Sequence, residues 1–181
     1  MDKVERYIKG IVEEFEGKTD RLKDTPKRAS KAYRELLDGY KQNPDEVVGN
    51  AIYQSRMDDI VIMKNISFES FCEHHMIAVT GYVSVGYIPN GTIVGASKLA
   101  RIVDCFSHRF QLQERLTMEI ADAVQNVLNP KGVAVYVSGK HFCISKRGVK
   151  KQEASLTTRY FLGEFKQNAA LRNEFLTSVA F

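Results

Sequence analysis

The chain has 181 residues, of which 44% are hydrophobic and 27% are charged, so it is large enough to form one domain with an apolar core. Its formal net charge is only +4 and it contains no block of five or six like charges, which argues against a basic arm that binds nucleic acid. No stretch approaches the roughly 20 apolar residues of a membrane helix and the N-terminus has no apolar signal core, so we expect a cytoplasmic protein without a membrane partner.

The first third of the sequence has helical spacing. Apolar residues recur every three or four positions from Val4 to Phe15, and Gly17 is a plausible stop. A second helix is predicted to begin at Asp24, which is an N-cap candidate, with Pro26 in its first turn, and to end by Gly39.

After residue 50 the pattern changes to a mixture of strands and helices. The predicted elements are, in chain order, strands over 60–63, 79–87 and 92–94, helices from 97 and over 112–127, strands over 133–141 and 156–162, and a helix over 169–179. Strands and helices come in blocks, which favours an α+β fold with an antiparallel sheet. We therefore predict an N-terminal helical extension over 1–50 and a second domain over 51–181.

Cysteines and histidines form the strongest local signal. Cys72 and His75 have the spacing that lets one tight turn offer sulfur and nitrogen to one metal, and His141 and Cys143 would share a face of a predicted strand. Cys72, His75 and Cys143 are therefore candidate ligands of a zinc ion with an open position, which is the catalytic pattern. His74 and His141 would stand beside that metal as acid–base groups.

Other interpretations of these residues stay open at this stage. Buried cysteines are common core residues, and Glu73, His74 or His141 could close a structural site as a fourth ligand. Cys105 lies among the apolar positions of a predicted helix, where simple packing explains it, and His108 at the end of that helix is assigned no role.

Basic side chains form a second candidate site. Ser97, Lys98 and Arg101 open a predicted helix, whose first backbone N–H groups could receive a phosphate, and Arg147 follows Cys143 closely. Glu114 has a carboxylate that could accept hydrogen bonds from the edge of guanine, although a glutamate in the first helical turn is equally explained by the helix dipole.

These residues fall within ordered motifs that extend from roughly residue 20 to the C-terminus. The motifs are Asp24-Thr25-Pro26-Lys27-Arg28, Cys72-Glu73-His74-His75, Tyr87-Ile88-Pro89-Asn90-Gly91, Gly95-Ala96-Ser97-Lys98-Leu99-Ala100-Arg101-Ile102-Val103, Gln113-Glu114-Arg115-Leu116-Thr117, and His141-Phe142-Cys143 with Arg147-Gly148-Val149. Together they resemble the GTP cyclohydrolase I family.

The resemblance implies a role for each matching residue. Zn²⁺ is expected on Cys72, His75 and Cys143, with His74 and His141 as acid–base groups. The implied substrate contacts are Ser97 at the ribose, Lys98, Arg101 and Arg147 at the triphosphate, Gln113 and Glu114 at the guanine, and less certainly Lys27 or Arg28. The implied reaction is hydrolysis and ring rearrangement of GTP to 7,8-dihydroneopterin triphosphate and formate, the first step of a pterin or folate-type biosynthesis.

The family fold is the tunnel fold, an antiparallel sheet backed by two helices. Its subunits join strands into a barrel, and two rings stack into a homodecamer with the active sites between subunits. The resemblance thus implies a tunnel-fold catalytic domain over 51–181, GTP as the small-molecule partner and no nucleic-acid partner. This sequence departs from the family pattern at Ala78, Lys146 and Arg159, which leaves affinity and rate open.

Two alternative functions are weighed against this one. Another tunnel-fold enzyme, such as a nitrile reductase or a lyase like pyruvoyl-tetrahydropterin synthase, would use a different metal or nucleophile pattern. A non-catalytic protein with a structural zinc and a nucleic-acid-binding surface would need basic and aromatic residues interleaved, and the sequence has no such pattern.

Overall fold

A computed structural model describes residues 2–180 of the chain. They divide into two compact units, with the division between Asp38 and Gly39. The first residue of the predicted extension (1–50) and the last residue of the predicted second domain (51–181) lie outside the described residues. The boundary between them at residue 50 stays a prediction. None of the described helices is both long enough and apolar enough to cross a membrane.

The first unit contains two α-helices, α1 (Lys3–Glu16) and α2 (Thr25–Leu36), joined by a 3₁₀ turn at Asp20–Leu22. Asp2 caps α1, because its carboxylate accepts the backbone N–H of Glu5 at 3.0 Å. That hydrogen bond is the main reason why the pKa of Asp2 is lowered to about 2. Both predicted helices are confirmed.

The predicted apolar face of α1 is only partly buried. Val4, Ile8 and Val12 are half-buried, whereas Ile11 and Phe15 are 61% and 85% exposed. The five residues lie within an arc of about 100° and form one stripe, in which Ile11 and Phe15 remain exposed. Asp24 does occupy the N-cap position of α2, but its side chain makes no capping hydrogen bond.

The described part of the second unit combines seven strands with six α-helices, and a 3₁₀ turn at Asp38–Lys41 spans the point where the chain passes into this unit. Its strands are β1 (Ile52–Gln54), β2 (Val61–Cys72), β3 (Ala78–Ile88), β4 (Thr92–Val94), β5 (Phe110–Gln111), β6 (Gly132–His141) and β7 (Leu156–Gly163). Its α-helices are α3 (Pro44–Val48), α4 (Ala96–Ser107), α5 (Gln113–Leu128), the single turns α6 (Phe142–Ser145) and α7 (Glu164–Gln167), and α8 (Ala169–Val179).

Five of the strands form one sheet in the order β5-β2-β3-β6-β7, while β1 and β4 form a separate two-stranded ribbon. Neighbouring strands of the large sheet are antiparallel, except that β5 runs parallel to the end of β2. Two longer helices, α4 and α5, pack on one face of this sheet. The predicted α+β class with blocks of strands and helices is confirmed.

Side chains of β6 divide between two apolar clusters on opposite faces of the sheet. Val133, Val135 and Val137 face the cluster that contains α4 and α5, and Ala134 belongs to a smaller cluster with α7 and α8. This alternation follows from the pleat, because successive side chains of a strand point to opposite faces. Both faces of the sheet are therefore partly covered, the second one by the C-terminal helices.

The strand predicted over 60–63 is much longer in the structure. It continues to Cys72 as β2, with a shift of register between Met63 and Ile66 and a left-handed backbone at Asn65, whose φ is 60°. This bulge breaks the apolar alternation, and the period of two resumes only with the buried Ile66. The sequence therefore underestimated the strand that leads to the first proposed metal ligand.

Replacing Phe175 with alanine should destabilise the second unit. Phe175 is fully buried and lies edge-to-face against Phe165 and Phe161, and Gly86 leaves the space into which its ring packs. We expect Phe175→Ala to lower the free energy of unfolding by about 3–5 kcal/mol in urea titrations, because it opens a cavity. Met57→Ala, at a position that is 45% exposed, is the control and should change it by no more than about 0.5 kcal/mol. Equal effects of the two substitutions would contradict this account of the packing.

Candidate metal centre and active site

A tight turn between β2 and β3 brings Cys72 and His75 together. The backbone N–H of Met76 donates to the carbonyl of Cys72 at 2.8 Å, and the N–H of Cys72 donates to the carbonyl of Ile77 at 2.9 Å. Met76 takes the left-handed backbone conformation, with φ 55°, that closes the turn. The Sγ of Cys72 consequently lies 3.7 Å from the Nδ1 of His75.

Cys143 approaches this turn from β6. The register of the sheet pairs Val79 with His141, so β6 ends beside the start of β3. The prediction that Cys143 lies on the same strand face as His141 is wrong, because β6 ends at His141 and Phe142–Ser145 form a helical turn. This turn nevertheless carries Cys143 to the hairpin, and one ligand atom from each of Cys72, His75 and Cys143 lies within 4.8 Å of the other two.

The three side chains fit a zinc ion. Tetrahedral zinc with bonds of about 2.0–2.3 Å holds its sulfur and nitrogen ligands roughly 3.5–3.8 Å apart, which the cluster reaches with small side-chain movements. Two thiolates and one imidazole form a donor set that zinc favours. Cys72 is buried and His75 is exposed, so the cluster is open to solvent on one side, where a fourth ligand could enter.

The thiol of Cys143 is in an environment that disfavours its charge. Burial raises its pKa most, the nearby Cys72 sulfur raises it further, and the guanidinium of Arg147 opposes both. Two adjacent thiols ionise together readily only when a cation compensates their charge. The cluster is therefore chemically suited to a divalent metal.

His74 and His141 both lie at the cluster, in different environments. His74 is exposed, with its Nδ1 3.8 Å from the Sγ of Cys72. His141 is half-buried, and burial lowers its pKa while the carboxylate of Glu114 opposes that shift. Burial therefore favours the neutral imidazole of His141, whereas the carboxylate of Glu114 favours its protonated form.

The ligand turn is anchored to α5 through Glu73. The guanidinium of Arg115 donates to the carboxylate of Glu73, and its Nε donates to Oε1 of Gln111 at 2.8 Å. In addition, the backbone N–H of Glu73 donates to the carbonyl of Gln111 at 3.2 Å. Glu73, which lies between Cys72 and His74, is therefore held through both its side chain and its backbone.

Gln113 lies directly beside His141. It is buried in the first turn of α5, and its Oε1 is 3.0 Å from the Nε2 of His141. The next residue, Glu114, is close enough to affect the charge of the same imidazole. The start of α5 therefore adjoins His141, and the guanine contacts that the resemblance implies for Gln113 and Glu114 stay a prediction.

The remaining predicted substrate contacts lie at the opposite end of the sheet. The hydroxyl of Tyr87 accepts the backbone N–H of Val94 at 3.3 Å, so β4 and the start of α4 with Ser97 adjoin the last residues of β3. Val79, at the cluster end of β3, is eight residues from Tyr87, which corresponds to about 26 Å along a strand. Lys98 at this distant end donates to the carbonyl of Val47 at 2.8 Å.

One chain thus does not bring all the predicted contacts together. The cluster end holds Cys72, His74, His75, Gln113, Glu114, His141, Cys143 and Arg147, and the distant end holds Ser97, Lys98 and Arg101. A groove of about 640 Å³ over the sheet and α4 includes none of these residues in its lining.

Four further residues singled out in the sequence lie on α2, on α4 or at the C-cap of α4. Lys27 and Arg28 lie on α2 in the first unit. Cys105 is fully buried in α4, and its thiol donates to Oε1 of Gln42 at 3.4 Å, which agrees with a packing role. His108 is the C-cap residue of α4.

The sequence did not predict the residues that hydrogen-bond to Glu73 and Gln113 at the cluster end. Arg115 was only part of a motif, and Thr117 and Thr158 were given no role, although all three bond to residues of the cluster end or to each other. Their partners are up to 45 residues away in the chain, so no local pattern could have paired them.

The sequence of this chain is similar to those of known proteins. A family model described as GTP cyclohydrolase I matches residues 2–180. A protein named GTP cyclohydrolase 1 from Alkalilimnicola ehrlichii is 45% identical over 177 residues, which cover 97% of this chain and 96% of that protein. A protein of the same name from Methylococcus capsulatus is 49% identical over 155 residues, 86% of this chain and 84% of that protein.

A comparison with solved structures found a crystal structure of the archaeosine synthase QueF-Like in the apo form. It covers 61% of this chain and 97% of that chain, with 24% sequence identity and a TM-score of 0.49.

Zinc retention should depend on the three clustered residues. We expect Cys72→Ser and Cys143→Ser each to lose most of the bound zinc, because each removes a thiolate, whereas the unsubstituted protein should hold about one zinc ion per chain. Elemental analysis after dialysis measures this. Cys105→Ser is the matched control, since it removes a thiol that lies outside the cluster. Equal zinc loss from all three variants would contradict the assignment of the cluster.

Proposed function

The chain belongs to the GTP cyclohydrolase I family, and from that premise we propose that it converts GTP to 7,8-dihydroneopterin triphosphate and formate at a zinc centre. The observation that carries the proposal is the cluster of Cys72, His75 and Cys143 with His141 and Glu114 beside it. Its two thiols and its imidazole suit zinc, and a histidine and a carboxylate adjoin it for acid–base chemistry and purine binding.

Cys72, His75 and Cys143 would hold the zinc ion. A zinc ion with three protein ligands supplies a Lewis acid and lowers the pKa of a water molecule in its open position. The exposed side of His75 supports an open fourth position, because substrate and water can reach the cluster from there.

The two neighbouring histidines move protons in this proposal. His141 gives a proton to the five-membered ring of the guanine as that ring opens. Before this step His141 must be protonated, and the neighbouring carboxylate of Glu114 stabilises its positive charge. His74, which is exposed at the edge of the turn, serves the later rearrangement of the ribose. A histidine suits both tasks, because its pKa lies near neutrality.

Binding of the substrate is divided among three groups of side chains. Glu114 accepts hydrogen bonds from the N1–H and the 2-amino group of guanine, which adenine does not offer in that arrangement. Arg147 contacts the triphosphate from the cluster end. Lys98 and Arg101 contact the triphosphate from the start of α4, and Ser97 contacts the ribose.

We infer that each active site is completed by a second copy of the chain. β3 runs for about 26 Å from Val79 at the cluster end to Tyr87, which adjoins β4 and the start of α4 with Ser97 and Lys98, so one small substrate is too short to reach both ends within a chain. Within residues 2–180, β7 is an edge strand, and β2 is covered on its outer side only where the two-residue β5 pairs with Phe71 and Cys72, which supports strand pairing between copies. A tunnel fold that closes in this way, and a homodecamer, are the assembly that we propose.

The remaining parts of the proposal concern the cellular setting. A GTP-consuming reaction that forms a pterin fits the cytoplasm and the first step of a folate-type or queuosine-type route. The helices α1 and α2 would belong to an N-terminal extension over 1–50, and the catalytic domain would span 51–181. Nucleic acid is not expected as a partner, because the basic residues of the proposed site, Lys98, Arg101 and Arg147, are few and are assigned to the triphosphate.

GTP turnover is the first test of the proposed function. We expect the zinc-loaded protein to release formate and form a fluorescent pterin after oxidation, and to stop when a chelator is added. His141→Ala should keep its zinc but release formate at least about 100-fold more slowly, because it loses the proton donor. His108→Asn removes a histidine outside the cluster and is the control, for which turnover should be unchanged. Turnover by His141→Ala at the normal rate would exclude its proposed role.

Mixed assemblies test the division of the site between copies. A Lys98→Ala/Arg101→Ala chain and a His141→Ala chain should each be inactive, yet their co-expression should restore about a quarter of normal turnover per site, because random assembly pairs two intact halves at that frequency. Co-expression of His141→Ala with Cys72→Ser should restore nothing, since both changes damage the same half. If the first mixture also stays inactive, the site is not shared in this way.

A further inference from the structure

We propose that Gln113 is a positioning residue that fixes the hydrogen of His141 on Nε2 and leaves Nδ1 as the atom that exchanges a proton with the substrate. The resemblance instead groups Gln113 with the guanine contacts. The role of His141 in the reaction rests on the proposed function, whereas the state of its ring follows from the hydrogen bonds around Gln113 alone.

The amide of Gln113 is buried and held at both ends. Its Nε2 lies 2.9 Å from the carbonyl oxygen of Leu156, 3.3 Å from that of Val137 and 3.1 Å from the hydroxyl of Thr158. Its Oε1 lies 3.0 Å from the Nε2 of His141. Two of the three partners on the nitrogen side are backbone carbonyls, which can only accept, so this side of the amide must be the NH₂ group.

The direction of the threonine hydrogen bonds supports the same orientation. The hydroxyl of Thr117 donates its one hydrogen to the carbonyl of Gln113 at 2.7 Å, so in its 2.6 Å contact with Thr158 it must accept. Thr158 therefore donates to Thr117 and has no hydrogen left for Gln113. An amide flipped by 180° would place Oε1 against three acceptors, which excludes that orientation.

The orientation of Gln113 determines which nitrogen of His141 carries the hydrogen. Oε1 has only lone pairs, so the Nε2 of His141 must donate to it. In the neutral imidazole, Nδ1 then keeps its lone pair and is the atom available to take up or give a proton. A buried hydrogen bond to one ring nitrogen commonly sets the tautomer in this way.

Gly139 provides the space that this arrangement needs. A Cβ built on Gly139 would collide with Oε1 of Gln113, and Gly139 lies two residues before His141 on β6. The absence of a side chain at this position lets the amide lie against the strand beside the imidazole. The backbone of β6 at Gly139 therefore leaves room for the hydrogen bond between Gln113 and His141.

These bonds also bear on substrate recognition. A guanine contact at Gln113 would have to break the bond to His141 or one of the three bonds of the NH₂ group. Burial of the amide further limits access, since Gln113 is only 3% exposed. Glu114, the next residue, is free of these bonds and is the better candidate to recognise the purine.

The test reads the tautomer directly. Zinc-loaded protein labelled with ¹⁵N only at histidine contains four histidines, and solid-state NMR at mildly alkaline pH distinguishes protonated from unprotonated ring nitrogens. The His141 signals are identified by their loss in His141→Asn. We expect a protonated Nε2 and an unprotonated Nδ1 in the unsubstituted protein, and a mixture of tautomers in Gln113→Leu.

Gln125→Leu is the matched control, because it removes a glutamine amide from the other end of α5, where it donates to the carbonyl of Pro130. It should leave the His141 signals unchanged. A hydrogen on Nδ1 in the unsubstituted protein would overturn the proposal, whether or not Gln113→Leu folds. An unchanged Nε2–H tautomer in Gln113→Leu would equally overturn the part assigned to Gln113.

Kinetics separate positioning from substrate binding. We expect Gln113→Leu to lower kcat by about 10-fold or more with KM changed less than about twofold, because the acid–base group loses its orientation. A raised KM with normal kcat would instead make Gln113 a substrate contact. The NMR result does not depend on turnover, so failure of the proposed function and failure of this inference are distinguishable.

Discussion

The register between β3 and β6 is the constraint on which the candidate site depends. It pairs Val79 with His141, so β6 ends beside the β2–β3 hairpin that carries Cys72 and His75. A shift by one residue would turn the buried valines of β6 towards the other face and carry His141 and Cys143 away from the turn. Burial of Val133, Val135 and Val137 therefore helps to keep the proposed metal ligands together, although these valines are not part of the cluster.

The first turn of α5 connects the parts of the site. Gln113, Glu114 and Arg115 follow one another, and because helical residues project about 100° apart, their side chains leave the helix in different directions. Gln113 bonds to His141, Glu114 affects the charge of His141, and Arg115 holds Glu73 in the ligand turn. A single helix start can thus position an acid–base group, a substrate contact and the metal-binding turn.

In the proposed function, the distribution of the predicted contacts would make the assembly part of the chemistry. The cluster end holds the proposed metal ligands and the two histidines proposed for acid–base chemistry, whereas Ser97, Lys98 and Arg101 belong to α4, which begins at the other end of the sheet. A triphosphate that extends from a guanine at the cluster cannot span a whole strand of about 26 Å. Only an arrangement of copies that brings opposite ends together would complete the site, which links the open strand edges to activity.

The sequence by itself determined most helices and strands and the three clustered ligands, because the period of apolar residues and the spacing of Cys72 and His75 are local properties. It did not determine the bulge at Asn65 that extends β2, or the helical turn that carries Cys143. Only the tertiary structure decided the hydrogen bonds of Gln113, whose partners lie 24 to 45 residues further along the chain. Such contacts depend on strand register and helix packing, which arise when distant segments bury their apolar faces against one another.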